Sequence, residues 1–417
     1  MFYPLKSIFI MDAFLNGLKN RLVAATPEMV ERLTHWCNIN TGSDNLEGLQ
    51  HFLLLLKSAF SPLADHIESL VLPEISSISL SGQPYNRRFG DALLIRKRPH
   101  LKSRILLCGH MDTVFGPMHP FQTVKHIDAN VLNGPGVSDM KGGLLVMLEA
   151  LRAFEESPMA ENIGWDVLIN SDEELGSPAS AATLDALAPF CQAALVYEPA
   201  MTPEGTLAKN RRGSGKFSLV ARGRAAHVGR AFNEGRNAIW HLARAVCEVH
   251  ALNGIREGVT VNIGKIAGGE ALNMVPDTAV AQIDVRIQSS DDEAWVVAQF
   301  NKILENLAAL GFTLDLHGGF GRPVKRVNHA TEALFARVQA LGKRLGLHID
   351  WKDSGGCCDG NNLARHGLPV LDTLGVRGGN IHTADEFLLI DSLAERTLLS
   401  TLLLMELADG ALQELTA

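Results

Sequence analysis

Three things are scarce in this sequence, and each scarcity excludes a class of protein. Cysteine is the first: six residues in 417 do not make the disulfide framework of a small secreted domain. Cys108, Cys191 and Cys247 lie in apolar runs and read as small core residues. The adjacent pair Cys357-Cys358 suits neither a simple bridge nor a CxxC zinc clip. Excess positive charge is the second: 38 Lys and Arg stand against 46 Asp and Glu, a net charge of -8, which argues against nucleic acid as the main partner. Long apolar runs are the third, since no stretch approaches the ~20 residues of a membrane span. The mildly apolar start, Met1–Met11, is too short for a signal h-region and meets Asp12 at once. A soluble, cytoplasmic chain without a membrane partner is expected. Met11 offers an alternative start that would leave the first ten residues as a disordered extension.

What is present is a chain that is 46 % hydrophobic and too long for one compact core, so two domains are expected. Apolar residues recur at helical spacing over 12–60, and residues 66–97 alternate as strands do. A regular succession follows: strand 104–108, a long loop through 138, helix 141–156, strand 165–170, helix 178–187 and strand 193–197. This is βαβ order and predicts an α/β fold with a largely parallel, doubly wound sheet. Past residue 213 the character changes. Strand 216–222, helix 237–251 (Ile239, Leu242, Ala243, Val246 and Val249 on one face), strands 259–266 and 278–287, helix 291–310 and strand 312–316 follow the ferredoxin-like pattern. From 324 come helix 331–345, strand 369–372, a loop with His382, and helix 391–408. Residues 1–213 and 324–417 are therefore expected to form one domain, with 214–323 inserted in it. Gly213-Ser214-Gly215-Lys216 faintly resembles a phosphate loop, but it opens a strand and lacks the four-residue spacing.

Five residues stand out as metal ligands: His110, Asp139, Glu174, Glu198 and His382. His110 follows the apolar run Ile105-Leu106-Leu107, Glu174 follows Val167-Leu168-Ile169, and Glu198 follows Leu195-Val196-Tyr197. Ligands of open parallel sheets gather outside the carboxyl ends of the strands. Asp139 precedes a helix from which a carboxylate can reach the same cleft. Two four-coordinate zinc ions offer about eight ligand positions. A bridging carboxylate, a bridging water, two histidines and two further carboxylates fill them, and the charges cancel. Glu173, beside Glu174, is left over and free to face the bridging water as a general base. Asp112, two residues after His110, can accept the second ring N–H and fix the tautomer.

At these residues the chain resembles the family of di-zinc amidohydrolases that includes glutamate carboxypeptidase, acetylornithine deacetylase and succinyl-diaminopimelate desuccinylase. The motifs are Gly109–Phe115, Gly136–Gly143, Asp172–Gly176, Tyr197-Glu198-Pro199, Gly223–His227 and His382–Glu386, within a match over roughly 90–417. The resemblance implies a zinc-peptidase-like catalytic domain with a mostly parallel central sheet, plus an inserted ferredoxin-like α+β lid that also forms a homodimer. It implies two zinc ions per subunit, with cobalt as a substitute: one on His110, Asp139 and Glu198, the other on Asp139, Glu174 and His382. It gives Glu173 as base, Asp112 as orienting group, a cis Asp139–Met140 peptide, and His227 reaching the partner subunit's site to hold the oxyanion. Asn273, Arg286 and Arg322 match positions that bind a substrate carboxylate, and Gly356 one that offers backbone contacts. Here the segment reads Ser354-Gly355-Gly356-Cys357-Cys358-Asp359, so the family's threonine hydroxyl is gone. Lys209, Arg211 and Arg212 add anion contacts or form a solvated loop. The expected reaction is zinc-dependent, glutamate-carboxypeptidase-like hydrolysis of the amide bond to a small carboxylate-bearing amino acid, in a small peptide. The alternatives are deacylation of an N-acyl amino acid and, in another class, a non-catalytic binding protein that kept the fold.

Overall fold

A computed structural model of the chain describes residues 5–415. Alternation within apolar strands builds its centre. Every residue of the strand Arg104–His110 is buried, yet Ile105 and Leu107 enter one hydrophobic core and Leu106 and Cys108 another. A strand covered on both faces needs no polar alternation, which is why it reads as a continuous apolar run. The strands Gly164–Asn170 and Ala193–Val196 divide in the same way. Helices Leu5–Cys37, Leu46–Phe60, Lys141–Glu155 and Asp391–Glu406 cover one face. Ala181–Leu187 and Asp359–Ala364 cover the other. Residues 5–10 belong to the first helix; residues 1–4 lie outside the described residues.

The central sheet has six strands in the order His66–Leu70, Ala92–Lys97, Gly164–Asn170, Arg104–His110, Ala193–Val196 and Val370–Leu371. The last four run parallel. Ala92–Lys97 is antiparallel to both of its neighbours, so the sheet is mixed: largely parallel and covered by helices on both faces, as expected, but with one reversed strand. The link 98–103 is too short for the crossover that parallel strands need, and the chain has to reverse there.

A second sheet contains Thr260–Gly268, Thr278–Ile287, Gly213–Arg222 and Thr313–Arg322 in that spatial order, all antiparallel. With helices Ala238–His250 and Ser290–Asn306 it has ferredoxin-like order and its own core around Phe217, Leu219, Leu242, Ile283 and Phe300. The first of these helices buries Ala238, His241, Leu242, Ala245 and Val249. Ile239 faces solvent, so the buried face is rotated from the one expected: small Ala238 and Ala245 sit against the sheet instead. Cys247 is exposed, whereas Cys108 and Cys191 are buried as expected. Strand Thr313–Arg322 runs past the expected end at 316, because Gly318, at φ +100, hides the strand pattern. This extension carries Arg322.

The chain leaves and re-enters the first unit side by side. Arg211 N–H donates to the Lys325 carbonyl (3.0 Å) and Lys325 N–H to that of Arg211 (3.1 Å). Buried Asp372 accepts from Arg211 Nη2 (2.9 Å) and Lys325 Nζ (3.3 Å). A small sheet, Gly378–Gly379, Phe387–Leu389, Val131–Asn133 and Lys125–His126, occupies part of the expected long loop. It draws the segment before Asp139 against the segment that carries His382.

Candidate metal and catalytic centre

His110 closes strand Arg104–His110 and is buried. Its Nε2 lies 3.1 Å from Asp139 Oδ1 and 3.7 Å from Glu198 Oε1. On the far side of Asp139, His382 Nε2 lies 3.3 Å from Oδ2 and 3.2 Å from Glu174 Oε2. The Asp139 carboxylate thus sits between two imidazoles, each with a further carboxylate beside it. The Asp139–Met140 peptide is cis, as the resemblance implies.

Asp112 does more than was expected of it. His110 Nδ1 is 3.0 Å from the Asp112 carbonyl and 3.3 Å from Oδ1, so the carbonyl is the nearer acceptor. The carboxylate accepts the N–H groups of Glu173 and Glu174, both at 3.2 Å, and the Ser43 hydroxyl at 2.8 Å. One buried acid therefore orients the His110 ring and fixes the turn that presents two glutamates.

The electrostatics are those of a site with too few positive charges. Burial first, then repulsion from Asp139, pushes Glu174 up to about 7. Burial also raises Glu173, against the pull of Arg322, and raises Glu198, against the pull of His110. His382 is pushed up to about 11 by its hydrogen bonds to Asp139 and Glu174. Burial works to raise Asp139, but the two imidazoles outweigh it and hold the carboxyl below its usual range. Glu174 Oε1 is buried with no hydrogen-bond partner among the described residues. Donor atoms of His110, Asp139 and Glu174 lie within 4.8 Å of one another, as do those of His110, Glu173 and Glu198. Two imidazoles, several carboxylates and an orphaned oxygen fit divalent cations of the zinc type; cations would balance the negative charge that burial leaves costly.

Glu173 is braced from the opposite side. Arg322 Nη2 donates to Glu173 Oε1 (2.7 Å) and Ser177 Oγ (2.8 Å), and Nη1 donates to Asp359 Oδ1 (2.7 Å) and Asn362 Oδ1 (2.8 Å). Asp359 also accepts from Ser177 Oγ (2.6 Å) and Asn170 Nδ2 (2.7 Å). Arg322 was expected to bind a substrate carboxylate. In the structure both terminal nitrogens are engaged within the chain, the side chain is 2 % exposed, and a carboxylate beside it is that of Glu173.

The remaining expected residues form a looser group. Arg286 grips Asp284 with Nε (2.7 Å) and Nη2 (3.2 Å), and turns Nη1 to Cys357 Sγ (3.2 Å). Gly356 is exposed, and its N–H donates to Ser354 Oγ at 3.1 Å. His227 and Asn273 are both exposed. His227 pairs with Met274 in a short ladder, and Asn273 O accepts the Val228 N–H. His227 Nδ1 accepts from Gly229 N–H (3.1 Å), so this ring is turned to its own loop. Arg211 is buried on Asp372, and Arg212 donates to the Gly258 carbonyl, so neither forms the solvated loop. Asp359 and Glu386, both buried, escaped the sequence reading although both lie in motifs it singled out. The available signal was an acid inside a glycine-rich or metal-ligand loop with no stated task.

Comparison with known proteins gives the family and the fold. The model of peptidase family M20/M25/M40 matches residues 106–406. The chain is 23 % identical to carboxypeptidase G2 of Pseudomonas sp. (strain RS-16) over 386 residues, 92 % of this chain and 90 % of that one. It is 28 % identical to succinyl-diaminopimelate desuccinylase of Shewanella piezotolerans over 83 % of this chain and 93 % of that one. The fold is shared with human carnosine dipeptidase 1, with a TM-score of 0.72 and 14 % identity over 95 % of this chain and 100 % of that one. It is also shared with an M20 family metallo-carboxypeptidase from Sulfolobus solfataricus, with a TM-score of 0.69 and 16 % identity over 91 % of this chain and 99 % of that one. The motifs that carry the metal-ligand candidates fall inside the matched span, and the chain belongs to peptidase family M20/M25/M40.

Proposed function

We propose that this chain hydrolyses the amide bond to a small amino acid that bears a carboxylate, cutting as a carboxypeptidase does, with two zinc ions in one cleft. The carrying observation is the placement of Asp139 between His110 and His382 at 3.1 and 3.3 Å, with Glu198 and Glu174 completing the two sides. His110, Asp139 and Glu198 would hold one ion, and Asp139, Glu174 and His382 the other. Bound there, the pair polarises a carbonyl and lowers the pKa of water. Glu173 takes the proton from the attacking water and returns it to the leaving nitrogen. Arg322 keeps that carboxylate in one orientation, and Asp112 fixes the turn that bears it.

Residues 214–323 act as an inserted lid over the rest of the chain, and dimerisation through it brings His227 of one subunit to the oxyanion of the other. Arg286 and Asn273 receive the substrate carboxylate in this arrangement, and a carboxylate arriving at Arg286 competes with Asp284. Six free thiols suit a cytoplasmic setting. The likeness to a desuccinylase over most of its length favours N-acyl amino acids as the second substrate class. A panel of C-terminal glutamyl and aspartyl dipeptides and N-acyl amino acids, assayed with zinc and with cobalt, tests the proposal. Wild type should cleave at least one class and the Glu173→Ala variant none. Zinc-loaded wild type that cleaves neither class would sink it.

A further inference from the structure

Glu386 has no role in the chemistry above, yet it is fully buried at the junction of two ligand-bearing loops. Its Oε1 accepts the N–H groups of Ser138 (2.9 Å) and Asp139 (3.0 Å), and its Oε2 accepts that of Gly136 (3.2 Å). Its backbone carbonyl accepts Asn133 Nδ2 (2.7 Å) and the Gly134 N–H (3.3 Å). One residue thus draws five donors from 133–139 onto the loop that carries His382. The strand Phe387–Leu389, which starts beside it, pairs in register with Val131–Asn133, so the two segments leave the junction locked together.

We propose that Glu386 is a positioning residue that sets the spacing between Asp139 and His382, and so builds the half of the metal centre that those two share with Glu174. This rests on the two-metal reading of the site. The physical case concerns reach. Asp139 and His382 approach each other only because their loops approach, and each loop is irregular: Asn380 and His382 have φ of +54 and +64. Three N–H groups turned inward leave the 136–139 segment with unpaired donors if the carboxylate is removed, and such donors seek water or another conformation. Groups behind the ligands typically change metal affinity by about 10–100-fold.

The test compares wild type with Glu386→Gln and Glu386→Ala, and with Leu402→Ala as a core-destabilised control. Zinc binding is measured by competition with a chromophoric chelator, and amide hydrogen exchange is followed in the metal-free proteins. The Gln variant keeps one acceptor and places an amide NH2 against an N–H, so it should weaken the second zinc by about 10-fold, and the Ala variant by about 100-fold. In the metal-free proteins the Ser138 and Asp139 amides should exchange at least ~10-fold faster in both variants. The Leu402→Ala protein should lose thermal stability but keep both zinc affinities and the slow exchange. Unchanged second-site affinity and unchanged exchange in the Ala variant would overturn the proposal, as would equal losses in Leu402→Ala. If wild type itself binds fewer than two ions, the two-metal reading fails, while the exchange comparison still decides what Glu386 does.

Discussion

Glu173 is held by one guanidinium, and this makes its role separable from its packing. The Glu173→Gln side chain keeps an oxygen that can accept from Arg322 Nη2 and loses only the capacity to take a proton. Hydrolysis should fall by about 10²–10⁴-fold, with zinc content measured by atomic emission unchanged; parallel loss of metal would show instead that Glu173 is a ligand. Arg322→Met is a different lesion, because Glu173 and Asp359 would face each other's surroundings without their shared cation. Breaking a buried pair from one side costs about 3–5 kcal/mol, to be read as a lowered urea midpoint. Asp372 makes a pH prediction whose sign follows from its partners. Burial pushes its carboxyl up, but Arg211 and Lys325 outweigh burial and hold it below the usual range. A carboxyl depressed in the fold contributes stability that is present above its unfolded pKa of about 3.9 and is lost as pH falls below it. Urea titrations of the metal-free protein should therefore show an acid limb that is flatter in Asp372→Asn, a variant already destabilised at neutral pH.

At the scale of elements, the helix Lys141–Glu155 is the part that must not move. A methyl at Gly143 would overlap the Tyr197 carbonyl oxygen, and one at Gly142 would overlap that of Val137. The start of the helix is pressed against the segments that carry the candidate ligands Asp139 and Glu198, with no room for a side chain at Gly142 or Gly143. Gly143→Ala should push Glu198 out of line with His110, weaken zinc binding and lower the melting temperature. Intact two-zinc binding in that variant would show that the contact is slack. This helix also indicates what the sequence could disclose. Strand ends were legible because a strand buried on both faces is an apolar run and its first polar residue is conspicuous, so His110 and Glu198 could be placed by inspection. Arg322 could not, since the glycines of 318–321 conceal the strand that carries it and its partners lie at 173, 177, 359 and 362. The reversed direction of strand Ala92–Lys97 escaped for a related reason. Its apolar pattern fits either direction, and only the short link after it forces the reversal.

For the whole molecule, the open question is what the second unit does for the first. His227 is exposed and turned to its own loop, and the same unit exposes Phe232, Ile239, Trp240 and Leu272 to solvent. Dimerisation that delivers His227 to the neighbouring site makes a prediction that no monomer can satisfy. Glu173→Gln and His227→Ala should each be nearly inactive as homodimers. After unfolding and refolding together, mixed dimers should form by the same two-fold interface. In each of them the His227→Ala subunit retains Glu173 and receives a histidine from its partner, so one of its two sites is whole. Random pairing makes half the dimers mixed, and activity should return to about a quarter of the wild-type value under the symmetric-interface assumption. Sedimentation of the mixture would confirm that dimers are present. Dimers without recovered activity would show that His227 serves its own subunit or none.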